Sequence, residues 1–249
     1  MAKKKLKTIV AGSLVKQVLY TPPTVRDTGA ARADKKRVSS AAQQRMNQQT
    51  SCEKLEWMLA ANYRRGDLVV TLTFDDEHLP DTRQGVLRCL KKFRSSLSRV
   101  RRRKGKNPLI MVWGNPEHKH GDGRWHIHCV INATGADYAD IRSCWPYGSD
   151  IEIKSFRLDK EQNYASLARY MCKERPEHLG QKQWSYTRTA AKPQVDTDWV
   201  DADTVIQAPK GSVVYQDIHE RTEYASFHYI KYLAPGWDLQ RMPHTRRRK

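Results

Sequence analysis

Trp125-His126-Ile127-His128-Cys129-Val130-Ile131 is the stretch on which the reading of this chain turns. Successive side chains of a β-strand point to opposite faces. The string therefore reads as a strand with Trp125, Ile127, Cys129 and Ile131 on one face and His126 and His128 on the other, about 7 Å apart at their stems. An apolar row behind the histidines means that the sheet is covered on that side and that the imidazoles face something polar. Two neutral imidazoles on one face can converge on a single divalent cation. A cation site also wants a carboxylate, and Glu117 is the candidate. Residues 118–123 read as a turn, which pairs Glu117 with Arg124, Asn115 with His126 and Trp113 with His128, and puts Glu117 on the histidine face. Pro116 interrupts regular pairing, and a bulge there can turn Glu117 away. His118 and His120 lie in the Gly-rich turn, where no strand alternation aims them, and are left out of the cation set.

Working outward, residues 68–74 (LVVTLTF) form a β-branched strand closed by Asp75, Asp76 and Pro80. Residues 83–104 form a helix. Val86, Leu90, Phe93, Leu97 and Val100 follow one another at steps of four, three, four and three, which is one apolar stripe. The remaining surface is basic, and Arg88, Lys91, Lys92, Arg101, Arg102 and Arg103 are the candidates for nucleic-acid contact. Strands are expected at residues 109–113 and 150–156 and helices at 136–144 and 160–174, the last capped by Asp159 and stopped by Pro176. On that last helix Tyr164, Leu167, Ala168 and Met171 recur at core spacing, so Tyr164 is a packing residue. Tyr170 lies off the middle of the stripe, with Lys173 three residues on, and a nearby cation is what a phenol needs to favour its anion. The alternation of strands and helices is an α+β plan.

Charge points to the partner. The chain of 249 residues carries a formal net charge of +18, and residues 88–106 hold ten basic and no acidic side chains. The basic excess is concentrated there, in residues 1–50 and in the tail from residue 241, attached to a mildly acidic body. Nucleic acid is the natural partner, since each Lys or Arg placed on a phosphate releases condensed counterions. No run approaches the roughly 18 apolar residues of a membrane span, and the basic start lacks the apolar segment of a secretory signal. Five cysteines without a CxxC pair argue against a disulfide framework or a cysteine zinc cluster. Residues 1–50 read as a basic, flexible arm, although a helix over residues 39–63 fits the pattern. Residues 51–193 read as the main domain. Residues 194–249 read as an acidic solvated loop, an aromatic-rich element and a basic tail.

The pieces occur in the order of a known set. The sequence resembles the HUH endonuclease superfamily, and within it the replication initiators of rolling-circle phages and plasmids. Val70-Thr71-Leu72-Thr73-Phe74 is similar to the first motif. His126-Ile127-His128 with Glu117 before it resembles the second, and Tyr170-Met171-Cys172-Lys173 the third. Tyr186-Thr187-Arg188-Thr189 also resembles a segment that follows in the phage branch. The resemblance implies an antiparallel five-stranded sheet with flanking helices and a Mg²⁺ or Mn²⁺ ion held by His126, His128 and Glu117. It further implies single-stranded DNA at a replication origin as substrate, with a host helicase or polymerase as further partner, in the cytoplasm of a bacterial host. Tyr170 would attack the scissile phosphate and keep the 5′ end as a phosphotyrosine, with Lys173 assisting. A relaxase or single-tyrosine transposase with the same residues is an alternative. A non-catalytic nucleic-acid-binding protein with a structural HxH is another.

Overall fold

The computed structural model describes residues 3–22, 41–118, 124–158, 163–172, 182–221 and 226–236. In chain order the elements are β1 (Lys3–Ala11), β2 (Leu14–Tyr20), α1 (Ala41–Asn62), β3 (Leu68–Thr73), a 3₁₀ turn (Asp76–His78), α2 (Arg83–Arg103), β4 (Met111–Gly114), β5 (Glu117–His118) and β6 (Trp125–Ile131). They continue with α3 (Asp137–Cys144), β7 (Ile151–Ser155), α4 (Ala165–Met171), β8 (Trp184–Tyr186), β9 (Gln194–Asp201), β10 (Val213–Arg221) and β11 (Ser226–Leu233). Two compact units result, one formed by Thr50–Ala191 and the other by the two ends of the chain, Met1–Gln49 and Lys192–Lys249.

The Thr50–Ala191 unit is α+β. Its antiparallel sheet runs β7-β3-β6-β4-β8 along five strands, with the two-residue β5 added beside β6. Alternation on β6 works as expected: Trp125, Ile127, Cys129 and Ile131 join Val70 and Leu72 of β3 in one core, against Val86, Leu90, Phe93 and Leu97 of α2. Phe93 and Leu97 are fully buried, each worth about 1.5–3 kcal/mol of burial. Thr82 caps α2, its hydroxyl accepting from Gly85 N at 3.2 Å. Tyr63, immediately after α1, donates its hydroxyl to the Val130 carbonyl at 3.0 Å, and burial pushes its phenol well above the ordinary value.

Three expectations are corrected. The α2 stripe does not close on Val100 but drifts to Arg101, which is 1% exposed. Arg101 donates to Asn132 Oδ1 at 2.6 Å and to the Asn132 carbonyl at 2.7 Å, and pairs with Asp137 at 3.2 Å. Desolvation draws its guanidinium below the ordinary value while Asp137 opposes that drift. Arg101 is thus a structural tie between α2, the end of β6 and the start of α3, not a residue of the nucleic-acid surface. Second, residues 3–20 are not an arm but β1 and β2, and the acidic stretch taken as a loop is β9. Their five-stranded sheet runs β10-β11-β2-β1-β9. Third, β6 pairs with β4 and β5 in a register other than the one expected, because of a bulge near Pro116. Asp159 and Lys173 lie outside the described residues. Among the described residues no helix is long and apolar enough to cross a membrane.

Candidate functional site

His126 and His128 sit on the face of β6 opposite the α2 core, their ring centroids 5.0 Å apart. His128 is buried and His126 half-buried. The neighbouring strand orients them. Thr71 is in register with His128 and Thr73 with His126, and Thr71 Oγ1 lies 3.1 Å from His128 Nδ1. With Nδ1–H donating to that hydroxyl, the lone pair of Nε2 points outward, which is how a second partner fixes the tautomer of a metal-type histidine. The sequence singled out the threonine strand but gave no signal of which threonine meets which imidazole, because strand register is not written locally.

Glu117 reaches the histidine row by another route than the one expected. Trp113 pairs with Cys129, not His128, and keeps its indole in the core. Between Trp113 and Glu117 the β4–β5 side advances four residues while β6, from Cys129 to His126, advances three, so one extra residue is taken up around Pro116. This is a bulge. Continued without it, the β4 register would set Glu117 against Trp125 on the core side. With it, the Glu117 backbone pairs with His126. The proline that threatened to turn Glu117 away marks the step that brings it into register with the histidines.

The nucleophile candidate comes from α4. Tyr170 is 46% exposed and its hydroxyl lies 3.1 Å from His128 Nε2, with the two rings 4.6 Å apart. Tyr164 is 3% exposed, packed against Phe156, and burial pushes its phenol far up. The two tyrosines therefore separate as their spacing on the helix predicts. Position along β4 matters too: a Cβ on Gly114 would come within 2.9 Å of the Met171 carbonyl, so glycine is what lets the end of α4 approach the sheet.

The basic residues of α2 divide. Arg88, Lys91, Lys92 and Arg103 line an open groove of about 800 Å³ together with Arg99 and with Pro146 and Tyr147. Arg102 is exposed outside that lining. Because α2 covers the core face, this groove and the histidines lie on opposite sides of the sheet. Lys104 and Lys106 are held inward by Asp140, and their cations keep its carboxyl below the usual carboxylate range. Sequence reasoning also passed over a second gathering of donors, in the other unit. There His228 and His219 stack at 3.5 Å and approach one oxygen of Asp217 at 2.8 and 3.3 Å.

The segment from Asp67 through α4 carries the histidine pair, Tyr170 and their supporting threonine. Residues 67–175 match the family model of the replication-associated protein ORF2. The matched segment supports a role in replication and with it contact with DNA. No curated protein and no solved structure matches the chain.

Proposed function

We propose that the chain is a replication initiator of the HUH type, which nicks single-stranded DNA at an origin and holds the cut 5′ end on Tyr170. The observation that carries this reading is the Tyr170 hydroxyl 3.1 Å from Nε2 of a histidine whose other nitrogen is already engaged by Thr71. A buried, oriented imidazole beside an exposed phenol is a poor packing device and a good reactive pair.

The donor set fits a divalent cation. His126 and His128 supply two nitrogens on one face and Glu117, in register with His126, a carboxylate, a mixed set compatible with Mn²⁺. A bound Mg²⁺ or Mn²⁺ would draw electron density from a non-bridging oxygen of the scissile phosphate. The Nε2 lone pair of His128 serves one partner at a time, the phenol or the cation, so cation loading frees the Tyr170 oxygen. That oxygen attacks phosphorus in line, the bond to the 3′ oxygen breaks, and the leaving strand takes a proton to become a free 3′ hydroxyl. The ester formed on Tyr170 conserves the phosphodiester energy, which lets a later hydroxyl rejoin the strand. Lys173, one turn beyond Tyr170 in sequence, is assigned to stabilise the phenolate or the phosphate. Arg88, Lys91, Lys92, Arg99, Arg102 and Arg103 are assigned to phosphate contacts on flanking DNA, which must then pass around the sheet to reach the histidine face.

The test is incubation of the full chain with a panel of single-stranded oligonucleotides and Mn²⁺, read by intact mass. A DNA adduct is expected with wild type. His126→Ala and His128→Ala should lose Mn²⁺-dependent cleavage and keep their far-ultraviolet spectrum, since neither ring belongs to the α2 core. Wild-type cleavage by either variant would remove the cation reading. Gly114→Ala is expected to slow cleavage by about 10²-fold by pushing the Met171 carbonyl, and Tyr170 with it, out of line. Unaltered cleavage rates would mean that the α4 approach does not position the phenol.

A further inference from the structure

The five-stranded sheet of the other unit has two unlike faces. One is closed: Val15, Leu19, Ile230 and Tyr232 form a small core under Ile206. On the opposite face the strand registers align Trp199, Lys5, Tyr20 and Phe227 in a single row across β9, β1, β2 and β11. The next row holds Lys7 and Tyr229. Trp199 is 57% exposed and Phe227 37%. Lys5 Nζ lies 4.7 Å over the Trp199 ring and Lys16 Nζ 4.6 Å over Tyr229, and Phe227 and Tyr229 are near parallel at 6.3 Å. Alternation along β1 sends Lys3, Lys5 and Lys7 to this face. The acidic residues Asp196, Asp198 and Asp217 fall in the rows of the closed one, while Asp201 and Glu220 share the open face from the edge strands β9 and β10.

A row of aromatic rings interleaved with ammonium groups has a specific complement. Rings offer flat surfaces to bases, and lysines offer charge to the phosphates that link them. The row from β9 to β11 crosses three strand spacings, about 14 Å, room for two or three stacked bases as on other sheet platforms. Bases in a duplex already stack on each other and cannot meet these rings. An acidic peptide would use the lysines and leave the rings idle. We propose that this face binds single-stranded DNA without sequence preference, stacking bases on Trp199, Tyr20 and Phe227 and setting phosphates on Lys5, Lys7 and Lys16. The platform belongs to a different unit from the His128–Tyr170 pair. The choice of DNA rather than RNA rests on the function proposed above.

The test is fluorescence anisotropy of the full chain with labelled dT20, the same length of rU20, and a 20-base-pair duplex. Trp199→Ala with Phe227→Ala is expected to weaken dT20 by at least about tenfold per ring while duplex affinity stays the same. Lys5→Gln, Lys7→Gln and Lys16→Gln together should flatten the dependence of log Kd on log salt by about 0.7 per lysine. Unchanged dT20 affinity in the aromatic variant, an unchanged salt slope in the lysine variant, or a wild-type preference for duplex or rU20 would each overturn the proposal. The adduct assay separates it from the nicking reading. Adduct formation without platform-dependent dT20 binding leaves nicking standing and removes the platform. Platform-dependent binding with no adduct on any oligonucleotide does the reverse.

Discussion

Tyr170→Phe is expected to abolish both strand cleavage and the covalent protein–DNA adduct while leaving the fold in place. The change removes one oxygen from a ring that is 46% exposed, and the hydrogen bond it loses, to His128, is worth about 1 kcal/mol net. Tyr164→Phe should keep substantial cleavage, because Tyr164 is buried against Phe156 and its phenolate is strongly disfavoured there. Peptide mapping of the adduct discriminates between the phenols. Tyr186 shares the histidine face through its register with Val112, yet stands two strands from β6, about 10 Å away. DNA found on Tyr186 or Tyr164 with Tyr170 unmodified would overturn the assignment.

The second large effect concerns stability, and it separates three consecutive arginines. Arg101→Ala is expected to cost about 3–5 kcal/mol, since it strips a buried carboxylate of its ion-pair partner and leaves Asn132 Oδ1 and its carbonyl short of a donor. Arg102→Ala and Arg103→Ala, both exposed, should leave the denaturation midpoint within experimental error and instead weaken binding to many DNA sequences alike. Denaturant titration of the three variants beside a binding series measures both. Equal stability of all three would contradict the tie between α2 and α3. Sequence-selective loss of binding would mean that Arg102 or Arg103 reads bases.

What could be read from the sequence was whatever is encoded by local periodicity. The histidine row and the α2 stripe needed only the strand and helix repeats, and the separation of Tyr164 from Tyr170 needed only the helix repeat. Arg101 was misplaced because a helix has 3.6 residues per turn, so a stripe that steps by three and four drifts, and its next position falls on 101 as readily as on 100. The Glu117 register was hidden because one extra residue at Pro116 changes every pairing beyond it, and nothing near residue 116 specifies the slip. Residues 3–20 were missed for a different reason. Lys3, Lys5 and Lys7 make β1 look like a solvated arm, and the partners that turn it into a central strand lie in β2 and, far along the chain, in β9.

That last separation carries a temporal consequence. β1 leaves the ribosome early, but Gln194, where its outer partner begins, emerges roughly 180 residues later, on the order of ten to forty seconds at bacterial elongation rates. During that interval β1 and β2 form a hairpin with two open edges, while the intervening segment already has all the strands of its own sheet. A nascent chain stalled before residue 194 would therefore expose a strand edge to neighbouring chains on the same polysome, a setting in which a trigger-type holdase has work to do.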